Sequence, residues 1–99
     1  MKVHWTAFAV NELKNIFIYY RAVAGEVVAD NIRKSILNTS KFIGKYPNMG
    51  MLEENLEDLD QGHRYIVEGN YKIIYLIMDD EIYITDVFDC RQNPQKIRR

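Results

Sequence analysis

Three basic residues in the second half of the chain, Arg64, Lys72 and Arg91, are the strongest candidates for direct chemistry. Alternating residues predict a strand from Arg64, a tight turn at Gly69-Asn70, and a second strand through Lys72. We expect Arg64 and Lys72 to be neighbours across this hairpin, where they can hold a phosphate or a carboxylate of a partner. The alternative is that both are sheet-face cations that only keep the surface soluble.

Arg91 follows the last predicted strand, and an arginine at a strand end is well placed to bind an anion through two hydrogen bonds. Tyr71 and Tyr75, on the same strand as Lys72, can stack on bases. Tyrosine is also an ordinary strand residue that packs its ring and hydrates its hydroxyl. These two tyrosines and the three cations are the predicted binding residues, and the cations are also the only catalytic candidates.

The histidines and the single cysteine predict no metal site. His63 is expected in a solvated loop, and His4 on the outer face of an edge strand. The two have no metal-ligand spacing with Cys90, which is expected to be a small apolar filler. We therefore predict no metal and no cofactor.

The elements that must position these residues follow an α+β pattern. A short strand is predicted over residues 2–5, helices from Thr6 to about Val23 and over 26–45, and strands over 64–68, 71–78 and 81–88. This order predicts an N-terminal strand and an antiparallel helical hairpin packed on one face of an antiparallel sheet. The sheet ends in a C-terminal three-stranded meander.

Apolar residues at spacings of three and four predict which helix faces are buried. On the first helix they are Val10, Leu13, Phe17 and Tyr20, widened by Ala9 and Ile16. On the second they are Val28, Ala29, Ile32, Ile36 and Ile43.

The strand over 71–78 has apolar side chains on both faces, because polar and apolar residues stop alternating after Lys72. One face can meet the helices, and the other is left with aliphatic and aromatic side chains. We infer that another chain covers this second face, since exposing such a row is costly. The alternative is that the row is only partly exposed.

Length and composition describe one soluble domain over residues 1–99. The formal net charge is −1, which gives no bulk attraction to nucleic acid. No stretch is long and apolar enough for a membrane span or a secretory signal, and one cysteine fits a reducing cytoplasm. The acidic segment over 53–60 predicts a solvated helical turn with Leu52, Leu56 and Leu59 pointing inward.

Several blocks together resemble the RelE/ParE toxin superfamily over nearly the whole chain. They are Trp5 before the helical hairpin, Tyr46-Pro47-x-x-Gly50 after it, the block from Arg64 through Gly69-Asn70 to Tyr75, and Val87 to Pro94 at the end. The block from Arg64 to Tyr75 is closest to the ParE branch, in which an arginine-led strand turns through a glycine into a Tyr-Arg/Lys-Ile-Ile-Tyr strand, and the ending from Val87 to Pro94 matches that branch too. Lys72 and Arg91 match basic positions of that branch.

The resemblance implies the toxin of a type II toxin–antitoxin module, including those described as plasmid stabilisation systems. The implied partner is an antitoxin that wraps the toxin, with a homodimer or a hetero-oligomer as possible assemblies. ParE-like members inhibit DNA gyrase by binding, whereas RelE-like members cut messenger RNA on the ribosome. A third alternative is a non-toxic relative that only binds protein.

Two departures from the family pattern bear on the choice of target. Asp89 and Cys90 stand where many relatives have a His-Gly pair, and an ionised aspartate is a poor general acid. Met51 stands where relatives often have an arginine, which removes one cation expected near the cleft. Both departures favour binding over ribonuclease chemistry.

Overall fold

The computed structural model describes residues 1–59 and 61–97, without the side chains of residues 57–59. The elements are β1 (Lys2–Trp5), α1 (Ala7–Ala24), α2 (Glu26–Lys45), β2 (Met51–Leu52), β3 (Arg64–Glu68), β4 (Tyr71–Met78) and β5 (Glu81–Asp89), with 3₁₀ turns at Glu54–Leu59 and Pro94–Lys96. The predicted helices and strands are confirmed. The helical turn predicted in the acidic segment is present as the 3₁₀ turn at Glu54–Leu59, whereas the short strand β2 and the second 3₁₀ turn were not predicted.

Local signals account for where these elements begin and end. The Thr6 side chain accepts a hydrogen bond from the Ala9 amide and caps α1. Gly25 separates the two helices and has a φ of 91°, which residues other than glycine rarely adopt. Asp79 and Asp80 both have positive φ, as a two-residue hairpin turn of type I′ requires.

Within the described residues, five strands form one sheet in the order β1-β5-β4-β3-β2. The predicted antiparallel meander of β3, β4 and β5 is confirmed. The sheet as a whole is mixed, because β1 pairs in parallel with β5. In sequence, the two helices separate β1 from the other four strands. In the sheet, β1 is an edge strand next to β5 and is not part of the meander.

The main core lies between the helices and one face of the sheet. Its buried members are Ala9, Ile36, Ile43, Tyr71, Ile73, Tyr75, Ile82, Ile84 and Val87. On α1 the stripe that meets this core consists of Ala9, Leu13, Ile16 and Tyr20.

The predicted core positions Val10 and Val28 are wrong, because these side chains are 37% and 41% exposed. Val10 and Phe17 lie beside the core stripe of α1 and line an apolar groove that also includes Arg33 of α2. Helical spacing alone could not decide which of two adjacent apolar stripes faces the sheet.

The second face of the sheet is covered by this chain itself, so the inferred cover from another molecule is wrong. Ile74 is fully buried and Leu76 is 6% exposed. Ile74 and Phe88 pack with Leu56 from the first 3₁₀ turn and Ile97 from the C-terminal segment. Two short segments that are distant in sequence provide the second layer.

The acidic segment differs in part from its prediction. Leu56 points inward as expected, but Leu52 is 61% exposed. The side chain of Leu59 lies outside the described residues. Glu53 is 4% exposed and therefore does not belong to a solvated face.

Candidate functional site

The predicted cationic pair does not form, because Arg64 and Lys72 lie on opposite faces of the sheet. In the β3–β4 hairpin Arg64 pairs with Tyr75, and Lys72 pairs with Val67. Directly paired residues share a face, and successive residues alternate between faces. In this register each even-numbered residue of β3 pairs with an odd-numbered residue of β4, so an even-numbered residue of β3 and an even-numbered residue of β4 lie on opposite faces. The prediction that Arg64 and Lys72 are neighbours is wrong.

Arg64 and Tyr75 organise the loop that connects α2 to β2. The Arg64 guanidinium donates to the Gly50 carbonyl at 2.8 Å. The Tyr75 hydroxyl donates to the Pro47 carbonyl at 2.6 Å and accepts from the Gly50 amide at 3.0 Å. Tyr75 is fully buried, and burial raises the pKa of its hydroxyl. A Cβ on Gly50 would overlap the Tyr75 ring, so Tyr75 serves packing and not base stacking.

Lys72 holds the acidic segment against the second face of the sheet. Its ammonium lies 2.7 Å from Glu53 Oε1 and 4.4 Å from the centre of the Tyr65 ring. The other Glu53 oxygen accepts from the amide and side chain of Asn55. Burial raises the pKa of Glu53, but the hydrogen bonds from Lys72 and Asn55 outweigh it and leave the pKa lowered. Lys72 is thus engaged within the fold.

The structure brings together two of the predicted residues, Tyr71 and Arg91, at the ends of β4 and β5. Between them and α1 lies a cleft of about 330 Å³, which we call the strand-end cleft. Its lining residues are Glu12, Asn15, Ile16, Tyr19, Tyr71, Val87, Phe88, Asp89, Arg91 and Gln92. Aromatic, amide and charged side chains therefore surround a partly apolar floor.

Arg91 is anchored in the cleft by Asp89. Its Nε lies 2.9 Å from Asp89 Oδ1, and its Nη2 lies 2.7 Å from Oδ2. The hydrogen bond from Arg91 lowers the pKa of Asp89, and the carboxylate raises the pKa of Arg91. Both groups are therefore charged at neutral pH. The Arg91 side chain is 59% exposed, so it can contact an anionic group of a partner.

One tyrosine that lines the cleft, Tyr71, is hydrogen-bonded to Tyr20, which lies next to the cleft and does not line it. Tyr71 donates to the hydroxyl oxygen of Tyr20 at 3.5 Å. The hydrogen bond from Tyr71, with a smaller contribution from Arg91, lowers the pKa of Tyr20, whereas burial raises the pKa of Tyr71. The result is an ordered array of hydroxyls beside a fixed guanidinium, which suits protein binding.

Tyr19, which lines this cleft, and Tyr20, which bonds to Tyr71 beside it, were not predicted as site residues. Tyr20 was predicted only as a core residue. The available sequence signal was that Tyr20 is the last residue of the apolar stripe of α1 that starts at Ala9. The end of this stripe lies beside Tyr71, at the start of β4. Which strand end it meets depends on the helix–sheet packing.

The histidines do not supply catalytic groups to the strand-end cleft. His63 is 3% exposed, so its predicted solvated loop position is wrong. His4 lies on the edge strand β1 with Nε2 2.7 Å from Glu81, and it stacks on Tyr83. Among the described residues, no group of three or more His, Cys, Asp or Glu side chains could hold a metal ion.

The chain is similar to known proteins in both sequence and fold. The family model for the ParE toxin of the type II toxin–antitoxin system, parDE, matches residues 3–94. Among solved structures, "Chromosomal ParDE TA system from P. aeruginosa" has a TM-score of 0.74 at 19% identity, over 90% of this chain and 95% of that chain. No curated protein matches significantly. The helices in the described part of the chain are too short or too polar to cross a membrane. The chain belongs to the ParE toxin family and is the toxin component of a type II toxin–antitoxin system.

Proposed function

We propose that this toxin acts in the cytoplasm by binding DNA gyrase, and that the strand-end cleft forms part of the binding surface. The observation that carries the proposal is the separation of Arg64, Lys72 and Arg91. Arg64 is bonded to the Gly50 carbonyl, Lys72 to Glu53, and Arg91 to Asp89 on another part of the surface. The ParE branch inhibits gyrase by binding, and that activity requires no catalytic group.

The same separation weakens the ribonuclease alternative. Cleavage of RNA needs a base for the 2′-hydroxyl, an acid for the leaving oxygen, and cations around one phosphate. Arg64 and Lys72 face opposite sides of the sheet, so they cannot clamp one phosphate between them. Asp89, with its lowered pKa, is a poor proton donor at neutral pH.

Within the proposed surface, Arg91 is the charged anchor and Tyr71 orders the adjacent hydroxyls. Arginine and tyrosine dominate the binding energy at many protein interfaces, because each combines a large contact area with directional hydrogen bonds. A gyrase carboxylate that displaced Asp89 would retain both guanidinium hydrogen bonds. The partner that neutralises the toxin is its antitoxin.

The test is supercoiling by purified gyrase in the presence of the toxin. We expect inhibition with accumulation of cleaved plasmid, and Arg91→Ala should raise the concentration for half inhibition by about tenfold or more. Arg21→Ala is the matched control, because Arg21 is an exposed arginine of α1 outside the cleft. This control should inhibit like the parent chain.

Two results would contradict the proposal. Normal supercoiling at saturating toxin would exclude gyrase as the target. Cleavage of messenger RNA in a translation extract, without any effect on gyrase, would identify a RelE-like ribonuclease instead.

A further inference from the structure

The α1 wall of the strand-end cleft contains a glutamate that the fold does not pair with a cation. Glu12 lines the cleft and is partly buried. In the part of the chain that the structure describes, it belongs to none of the ion pairs. The residues one turn away from it on α1 are not basic either; they are Phe8, Ala9, Asn15 and Ile16.

The charged groups of the cleft do not balance. Among the described lining residues there are two carboxylates, on Glu12 and Asp89, and one guanidinium, on Arg91. Asp89 is bonded to Arg91 at 2.7 and 2.9 Å, so the charges of these two groups largely cancel. The charge that remains is that of Glu12. A cationic group is therefore favoured in the cleft beside α1.

The negative and positive groups lie at different ends of the cleft. Glu12 and Tyr19 are seven residues apart and line the cleft from the same face of α1. Arg91 is near the Tyr20 hydroxyl, because it contributes to the lowered pKa of that group. Eight residues of helix separate Glu12 from Tyr20, which corresponds to about 12 Å along the axis. Glu12 is thus accessible to a group that does not contact Arg91.

An arginine side chain fits the Glu12 end better than a lysine. Its planar guanidinium donates two parallel hydrogen bonds to a carboxylate and retains further N–H donors. Asn15, which also lines the cleft, offers an amide oxygen one turn after Glu12. Ile16 and Val87 add apolar surface on which the methylene groups of an arginine can pack. The volume of about 330 Å³ has room for one such side chain.

We propose that the strand-end cleft binds an arginine side chain of its protein partner through Glu12. This inference rests on the proposed function, in which the cleft contacts gyrase, and adds the chemistry of that contact. Glu12 accepts two hydrogen bonds from the guanidinium, and Asn15 accepts a third. Arg91, at the other end of the cleft, remains available to an acidic group of the same partner. The partner surface therefore presents a basic group and an acidic group about 12 Å apart.

The probe is Nα-acetyl-L-arginine N-methylamide, titrated into the ¹⁵N-labelled full chain. We expect saturable shifts of the amide signals of Glu12, Asn15, Tyr19 and Val87. The corresponding citrulline compound has nearly the same shape without the charge and should cause none. Glu12→Gln removes the charge at nearly constant shape and should weaken binding of the arginine probe about fivefold or more. The matched control is Glu26→Gln, an exposed position outside the cleft, which should bind like the parent chain.

Four outcomes would overturn the proposal: no saturable shifts, shifts centred outside the cleft, equal shifts with the citrulline compound, or unchanged binding by Glu12→Gln. The supercoiling assay separates this inference from the proposed function. Gyrase inhibition without binding of the arginine probe would reject the arginine site alone. Binding of the probe by a toxin that leaves gyrase active would reject gyrase as the target and retain the arginine site.

Where the parent chain inhibits gyrase, Glu12→Gln should also raise the toxin concentration for half inhibition about fivefold, whereas Glu26→Gln should not change it. Equal inhibition by Glu12→Gln and the parent chain would contradict a role for Glu12 in that contact.

Discussion

At the residue scale, tyrosines with similar sequence surroundings have different roles. Tyr71 and Tyr75 lie on one strand and face the same side of the sheet. Tyr71 reaches the strand-end cleft, and its hydroxyl meets Tyr20. Tyr75 is farther along the strand, beneath the loop after α2, and its hydroxyl bonds only to backbone groups of that loop. The role of each tyrosine therefore depends on the element that packs over its ring, which is α1 for Tyr71 and the loop after α2 for Tyr75.

We expect Tyr75→Phe to destabilise the protein by about 1–3 kcal/mol, because the Pro47 carbonyl and the Gly50 amide would lose a buried partner. Denaturant unfolding measures the change. Tyr83→Phe is the control, since Tyr83 is a partly exposed strand tyrosine that stacks on His4. Equal stability of Tyr75→Phe and the parent chain would show that the loop does not depend on this hydroxyl.

At the element scale, the segment from β2 through the first 3₁₀ turn pairs with β3 at Met51 and Leu52 and also contacts the second face of the sheet through an ion pair and an apolar contact. Lys72 reaches Glu53, and Leu56 packs with Ile74. The Glu53 and Lys72 side chains are only 2% and 19% exposed. A buried pair of this kind adds little net stability, but breaking one partner leaves an uncompensated charge.

We therefore expect Lys72→Met to cost about 3 kcal/mol at pH 7, and the double variant Lys72→Met with Glu53→Leu to be close to the parent chain. Denaturant unfolding of the full double-mutant cycle measures both effects. An additive cycle would contradict the assignment of Glu53 as the partner of Lys72.

The pH dependence of the same variants gives an independent check. The folded pKa of Glu53 lies below its ordinary value of about 4.3. Its stabilising contribution is therefore complete above pH 4.3 and is lost as the pH falls through the lowered folded pKa. In Lys72→Met the unpaired carboxylate should instead have a raised pKa, so its destabilisation should shrink as the pH falls.

At the scale of the whole molecule, the chain covers the second face of its own sheet. Ile97 lies near the end of the chain and packs with Leu56, Ile74 and Phe88. Apolar surface remains exposed elsewhere: Val27 of α2 is 76% exposed and Met51 of β2 is 67% exposed. Partners of the toxin therefore have these surfaces available, and not the second face of the sheet.

We expect Ile97→Ser to destabilise the fold by about 2 kcal/mol and to uncover apolar surface on the sheet. The readouts are denaturant unfolding and fluorescence of a dye that binds exposed apolar surface. Val27→Ser is the control, because that side chain is already largely exposed and its loss should change stability little. Unchanged dye binding and stability in Ile97→Ser would mean that the C-terminal segment does not act as a cover.

The sequence by itself determined the elements, because the signals for them are local. Thr6 caps α1, Gly25 interrupts the helical hairpin, and Gly69-Asn70 and Asp79-Asp80 turn the meander between strands of alternating residues. The same local pattern was enough to identify the toxin superfamily and to predict that Tyr71 and Arg91 belong to a binding surface.

The tertiary structure alone decided which residues meet. The hairpin register separated Arg64 from Lys72, and that register follows from pairing geometry rather than residue type. Lys72 forms an ion pair with Glu53, and Ile97 packs with Ile74. The partners in each pair are far apart in sequence, and no local sequence pattern predicts either contact. Arg91 met Tyr20 only because helix packing places the α1 stripe over the strand ends. Such contacts depend on the relative placement of whole elements, which residue spacing within one element does not specify.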